Sequence, residues 1–137
     1  MFFVYHPAGQ DEPTRWKYIP QKLMSAEREM LERHTDRNFS QFTQDVLQGN
    51  SLCRRALLFM FLKRDHPGKI KFDDVDFAWD EVSLEFSKAE YEQMMDDARE
   101  RLSGDQLATV LEKFEAEAAD AYDDPDDSGK AFSPVAE

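Results

Sequence analysis

The side chains that could act as nucleophiles or metal ligands are few and scattered along this sequence. The histidines His6, His34 and His66 fall in different predicted elements, and none has a second ligand at the spacing of a metal site. The one cysteine, Cys53, lies in an apolar segment, where a buried and inert thiol is the preferred interpretation. The five glycines are isolated, so they form no phosphate-binding loop. We therefore predict no catalytic, cofactor-binding or metal-binding residues and expect a protein that is not an enzyme.

The acidic run that begins at Asp74 is the nearest approach to a metal-binding motif. Counted from Asp74, the residues Asp76, Asp80 and Glu85 occupy positions 3, 7 and 12 of a calcium-binding EF-hand loop. Positions 5 and 6 are alanine and tryptophan, where that loop needs an oxygen ligand and a glycine for its sharp turn. The run therefore does not predict a specific calcium site.

Composition narrows the class of protein. A chain of 137 residues with 41% hydrophobic residues is long enough to bury one core. The formal net charge of −12 disfavours binding to nucleic acid. No segment is apolar enough to span a membrane, and the start, MFFVYHPAG, is not typical of a signal peptide. A single cysteine is consistent with a reducing, cytoplasmic setting.

The segment SLCRRALLFMFLKR (51–64) predicts the helix around which the other elements are arranged. Seven consecutive apolar residues, from Ala56 to Leu62, cover every side of a helix, so neighbouring elements must surround it. Ser51 is the expected N-cap, and the sequence His-Pro-Gly after Asp65 ends the helix.

The elements before and after this helix are predicted from periodicity and turn residues. Within residues 1–20, two short β-compatible runs, Phe2 to His6 and Thr14 to Ile19, flank a Pro- and Gly-containing turn, which predicts a short β-hairpin. Two amphipathic helices follow within 25–64, the first with Ser25 as its N-cap and the second from Phe39 to Gln48. Apolar and polar residues alternate across 69–86, which favours extended segments or a loop held by its aromatic side chains.

The C-terminal part of the sequence predicts a helical hairpin over residues 87–121. Ser87 and Glu90 form a capping box, and Ser103-Gly104 separates two helices with equal apolar stripes. Residues 122–137 are rich in Asp, Pro, Gly and Ser and predict a flexible acidic tail. The expected fold is mainly α, with residues 1–121 forming a single, mostly helical domain.

Several short segments occur in a characteristic order between residues 16 and 77. They are WKYIP (16–20), KLMSAE (22–27), Leu31-Glu32-Arg33, the pair Phe39 and Phe42, ALLFMFLKR (56–64), Pro67 and FDDVDF (72–77). In this order they resemble the tail assembly chaperones of long-tailed bacteriophages, especially those that infect actinobacteria. The resemblance covers a little under half of the chain. Asp36 stands where the resemblance leads us to expect glycine, although aspartate also tolerates the left-handed conformation.

The resemblance implies a small helical protein that binds the long, aggregation-prone tape measure protein and keeps it soluble during assembly of the tail tube. The tail tube protein is a second implied partner, and self-association stays open. The implied location is the host cell cytoplasm, and the mature virion is not expected to contain the protein. Phe39 and Phe42 on one stripe, with Met94 and Met95 on another, are the predicted partner-binding residues, because such side chains make adaptable apolar contacts. Packing in the core is the alternative role of each.

Two other functions compete with this one. The acidic excess suits an inhibitor that imitates nucleic acid and blocks a host DNA-binding protein. A head–tail joining protein of the virion is the other alternative. It differs from the chaperone in remaining within finished particles.

Overall fold

The fold is mainly α, as predicted. The computed structural model describes residues 1–125, which contain five α-helices and a small three-stranded sheet. The elements are β1 (Phe2–Tyr5), β2 (Thr14–Lys17), α1 (Ser25–Thr35), α2 (Phe39–Leu47), α3 (Ser51–Asp65), β3 (Val82–Glu85), α4 (Lys88–Arg101) and α5 (Gly104–Ala119).

The chain divides into two compact units, whereas the sequence analysis treated residues 1–121 as one domain. The N-terminal unit is Phe2–Leu84, and the C-terminal unit is Met1 together with Glu85–Glu137. Each unit has its own packing and its own charge.

Helix α3 forms the core of the N-terminal unit. Its residues from Ala56 to Phe61 are all buried, which confirms that other elements surround it. The ring of Phe61 contacts three aromatic rings from the β1–β2 region, at centroid distances of 5.7, 5.1 and 6.4 Å for Phe3, Trp16 and Tyr18. Helices α1 and α2 pack against α3. Burial of aromatic and aliphatic side chains around α3 thus stabilises this unit.

The sheet consists of β1 and β2, which lie at the start of the chain, and of β3, which follows α3 in the sequence. β1 and β2 are antiparallel, with Phe2 opposite Lys17 and Tyr5 opposite Thr14, and β1 is the central strand of the order β2-β1-β3. The 69–86 region, predicted as extended or as an aromatic-pinned loop, contains β3 and two short 3-10 turns. Phe72 in the first turn stacks on His34, with 4.3 Å between ring centroids.

Two of the predicted helix caps are wrong by one residue. The N-cap of α1 is Met24 and that of α3 is Asn50, so Ser25 and Ser51 are the first helical residues. In α3 the Asn50 side chain accepts a hydrogen bond from the Cys53 N–H at 3.0 Å, because asparagine caps a helix as well as serine does. Asp36 ends α1 with φ 52° and ψ 44°, the left-handed conformation that glycine often supplies.

The C-terminal unit consists mainly of α4 and α5, which pack against each other across a two-residue connection. Ser87 and Glu90 form the predicted capping box, and the Met1 ammonium group contacts the Glu90 carboxylate at 2.9 Å. The predicted tail begins too early, since the Tyr122 carbonyl accepts a hydrogen bond from the Lys88 N–H at 2.9 Å and Asp124 is buried. The rest of the predicted tail, 126–137, lies outside the described residues.

Candidate partner-binding surface

The structure separates the four predicted partner-binding residues into core and surface. Phe42 is fully buried and Met95 is buried at 9% exposure, so neither presents its side chain to a partner in this fold. Both fill the interior because they occupy the centre of their stripes, where the neighbouring helix covers them. Phe39 and Met94 are partly exposed and keep access to solvent.

Phe39 lies at the edge of a shallow groove in the N-terminal unit. Its ring stacks on buried Phe42 with 5.8 Å between centroids, and its backbone N–H donates to a Glu32 carboxylate oxygen at 2.8 Å. The groove has a volume of about 420 Å³ and is lined by Pro20, Gln21, Arg28, Phe39 and Thr43. The lining combines the apolar side chains of Pro20 and Phe39 with polar ones, and the Arg28 guanidinium lies 6.0 Å from the Phe39 ring centroid. Phe39 is thus an apolar contact within a groove of mixed polarity.

Met94 belongs to the apolar stripe of α4 in the C-terminal unit. On α5 the facing stripe of Leu107, Val110, Leu111 and Phe114 is only partly buried. Tyr91 and Phe114 contact each other across the two helices, with 6.3 Å between ring centroids. The two helices cover one side of each stripe and leave Met94 partly exposed.

The largest exposed apolar side chains lie elsewhere, and the sequence analysis did not single them out as partner-binding residues. Met24, before α1, is 71% exposed, Trp79 65%, Leu47 50% and Leu52 37%. Leu47 ends α2 and Leu52 begins α3, so both flank the tight turn at Gly49, against which the Trp79 ring packs. We call Leu47, Gly49, Leu52, Arg54 and Trp79 the Trp79 patch.

The Trp79 indole ring packs against Gly49, which has no side chain to obstruct it. Gly49 adopts φ +87°, and a Cβ atom built on it would lie 2.8 Å from the Trp79 ring, closer than any side chain tolerates. The Arg54 guanidinium lies 5.8 Å from the Trp79 ring centroid, and its Nε donates to the Val46 carbonyl at 2.9 Å. Trp79 is therefore exposed on one face and supported on the other.

The loop that carries Trp79 is held at both ends. Arg55 of α3 donates to the Val75 and Phe72 carbonyl oxygens at 2.6 and 3.0 Å. On the other side, the Glu81 carboxylate accepts from the Ala78 N–H at 2.7 Å and from the Ala8 N–H at 2.8 Å. These two N–H donors, that of Ala78 first, hold the pKa of Glu81 below its usual value. The loop is thus tied to a helix and to the β1–β2 turn.

The surroundings of the patch are acidic on the side of this loop. Residues 73–81 contain five carboxylates and no lysine or arginine. Glu81 is engaged in the hydrogen bonds just described, whereas Asp73, Asp74, Asp76 and Asp80 are exposed. Arg54 is the basic residue of the patch, and its guanidinium group lies over the indole ring.

The residues considered for chemistry remain dispersed in the fold. Within residues 1–125, no three His, Cys, Asp or Glu side chains gather into a group that could hold a metal ion. Cys53 is a free, buried thiol, and its burial raises its pKa. Burial also lowers the pKa of His34, and the nearby Arg33, Lys63 and Arg55 charges act in the same direction. No helix among the described residues has the length and apolarity needed to cross a membrane.

Sequence reasoning missed the Trp79 patch because the alternation across 69–86 predicts extended segments or a loop held by its aromatic side chains, and it does not indicate which of these side chains is exposed. In the structure Val75 is buried at 4% exposure and Trp79 is exposed, since the 3-10 turn at Trp79–Glu81 breaks the alternation. A usable signal was present in the run of acidic residues around a tryptophan, which is atypical of a strand that buries one face.

Comparisons of the chain with protein-family models, with curated proteins and with solved structures give no match.

Proposed function

We propose that this protein is a tail assembly chaperone of a long-tailed bacteriophage, which binds the tape measure protein and keeps it soluble while the tail tube assembles. The tail tube protein is the secondary partner. The protein acts in the host cell cytoplasm and leaves the assembly before the virion is complete. The N-terminal β-hairpin and the helices within 25–64 belong to one unit, and α4 and α5 form a helical hairpin in the other.

The observation that carries this proposal is the Trp79 patch, an apolar surface that the fold keeps exposed and ordered. Isolated apolar side chains are common on protein surfaces, but a tryptophan that is 65% exposed and packs against Gly49, in the turn that exposed Leu47 and Leu52 flank in sequence, is typical of a surface that binds another polypeptide. The net charge of −12 favours solubility of a complex with an aggregation-prone partner. The order of the segments between residues 16 and 77 supports the choice of partner.

Co-expression with the tape measure protein of the same phage tests the proposal. We expect the soluble fraction of the tape measure protein to rise severalfold and the two proteins to purify together. The matched control is the variant Leu58→Asp, which places a charge in the core of α3 and removes the folded body. Equal solubility with and without the wild-type chain, together with no co-purification, would reject the proposal. Detection of the chain in purified particles would instead favour the head–tail joining role.

One observation favours the nucleic-acid-mimicking inhibitor as a second candidate. Residues 85–125 contain thirteen acidic and four basic residues, so most of the charge excess lies on the described C-terminal unit rather than in 126–137. Helices α4 and α5 hold many of these carboxylates in regular array. Glu112→Gln combined with Glu115→Gln on the exposed face of α5 would weaken such an inhibitor's binding to a DNA-binding protein, whereas a chaperone would keep its tape measure binding.

A further inference from the structure

We propose that the Trp79 patch is the docking site for a polypeptide segment that presents an apolar side chain flanked by lysine or arginine. This inference rests on the proposed function, because it names the kind of tape measure segment that the chaperone would hold. Trp79 is the central contact, Leu47 and Leu52 widen the apolar area, and the carboxylates of the 73–81 loop select a basic partner.

The first argument is that the tryptophan is organised for binding before a partner arrives. The indole ring packs on Gly49, and the loop is tied by Arg55 on one side and by Glu81 on the other. A side chain held in place loses little conformational entropy on binding, so more of the apolar contact energy remains for affinity. Tryptophan is also among the residues that contribute most strongly to protein interfaces.

The second argument is charge complementarity. Asp76 and Asp80 are exposed, and they lie three residues before and one residue after Trp79. With Asp73 and Asp74 they give the 73–81 loop four exposed carboxylates and no lysine or arginine, while the Arg54 guanidinium of α3 lies over the indole ring. Such a surface attracts cationic side chains and repels acidic ones, which gives specificity and a faster association at low salt. An apolar anchor next to lysine or arginine therefore fits this surface best.

The other apolar surfaces fit such a segment less well. The groove beside Phe39 is lined by Arg28 and by no carboxylate, so its charge does not favour a basic segment. The stripes of α4 and α5 expose no large side chain to the extent that Trp79 is exposed. The Trp79 patch alone among these described surfaces combines strong apolar exposure with a local acidic excess.

Selection from a library of random 12-residue peptides tests the inference without assuming the partner. The full-length wild-type chain is the bait, and the variant Trp79→Ala, which alters an exposed side chain and leaves the core intact, is the counter-selection. We expect the enriched peptides to contain a large apolar residue flanked by lysine or arginine. One enriched peptide, and its analogue with every basic residue replaced by glutamate, are then titrated by calorimetry against the wild-type chain.

The expected result is at least tenfold weaker binding of the basic peptide to Trp79→Ala, and no measurable binding of the glutamate analogue. The double variant Asp76→Asn with Asp80→Asn should weaken binding severalfold at low salt and little at high salt, because salt screens the exposed charges. The inference fails if no peptide distinguishes wild type from Trp79→Ala, or if the glutamate analogue binds equally well. It also fails if sedimentation shows a dimer that depends on Trp79, since the patch would then be a self-association surface.

The two proposals fail in different ways. If the wild-type chain and Trp79→Ala both solubilise the tape measure protein equally, the chaperone function stands and the docking site is wrong. If basic peptides bind through Trp79 while the tape measure protein neither gains solubility nor co-purifies, the docking site stands and the partner is wrong.

Discussion

The two compact units of this protein are stabilised in different ways. In the N-terminal unit, α3 buries seven residues, and Phe61 alone contacts three other aromatic rings. In the C-terminal unit, α4 buries Met95 and Ala98, and α5 buries none of its sixteen residues over 104–119. The two units also differ in charge, since residues 2–84 carry a net charge of −1 and residues 85–125 carry a net charge of −9.

This difference teaches that apolar stripes of similar regularity lead to unequal cores. A stripe is buried only as far as neighbouring elements cover it, and α3 is covered by helices and by the β1–β2 aromatics, whereas two paired helices cover each other on one side. Capping and helix propensity therefore matter more in the C-terminal unit, and side-chain packing matters more in the N-terminal unit. The following predictions test that division, from the largest effect to the smallest.

Truncation of one phenylalanine in each unit should have the most unequal effect. Phe61→Ala should lower the free energy of unfolding by about 3–5 kcal/mol, because it leaves a cavity among stacked rings. Phe114→Ala should lower it by only about 1 kcal/mol, because that ring is only partly buried. Urea denaturation followed by circular dichroism measures both values. Similar losses in the two variants would show that the C-terminal unit has a core as important as the other.

Substitution of two glycines that have nearly the same φ should separate two costs to the stability of the N-terminal unit: strain of the backbone, and a clash of the new Cβ with Trp79. Gly9 and Gly49 have φ +88° and +87°, and a Cβ at Gly9 meets nothing within 4 Å. Gly9→Ala should cost about 1–2 kcal/mol for the left-handed backbone alone. Gly49→Ala should cost roughly 1 kcal/mol more, because its Cβ displaces the Trp79 ring.

The measurement is again the free energy of unfolding, together with the tryptophan emission of each variant. Gly49→Ala should change the emission and Gly9→Ala should not, since only the former touches the indole ring. If the two variants lose equal stability, Trp79 does not rest on Gly49 in solution.

Removal of one N-cap from each unit should test the role of capping. Ser87→Ala removes the acceptor for the Glu90 N–H, and Asn50→Ala removes the acceptor for the Cys53 N–H. Each change should cost about 1 kcal/mol. Only Ser87→Ala should also reduce the helical signal at 222 nm under native conditions, because α4 has few buried residues to hold its first turn. An equal loss of helicity in Asn50→Ala would contradict the division between the units.

Acidification from pH 7 to pH 5 should destabilise the N-terminal unit slightly, through His34. Its pKa in the folded state is lowered by burial and then by Arg33, Lys63 and Arg55, so the unfolded state binds the proton more readily. The stability that neutral His34 contributes is therefore present above the unfolded pKa of about 6.5 and is lost as the pH falls through the folded pKa. His34→Gln should reduce the change in the free energy of unfolding between pH 7 and pH 5 by less than about 1 kcal/mol. An unchanged profile would show that other groups dominate it.

Much of the local structure could be predicted from the sequence. The run from Ala56 to Leu62 indicated a surrounded helix, and the Ser87–Glu90 capping box marked the start of α4. These features depend on residues within one or two helical turns of each other, so neighbouring sequence is sufficient to specify them. The cap of α3 was misplaced by one residue because Asn50 and Ser51 are both good capping residues.

The candidate site could be predicted only in part. Phe39 and Phe42 were assigned alike, yet α2 turns one ring partly to the surface and buries the other. Val75 and Trp79 belong to the same alternating run, yet Val75 is buried and Trp79, in the short 3-10 turn, is exposed. The sequence by itself thus determined which segments are helical, where apolar stripes lie and how charge is distributed. Only the tertiary structure decided which apolar side chains stay exposed, because exposure depends on elements distant in sequence that cover one part of a stripe and leave another open.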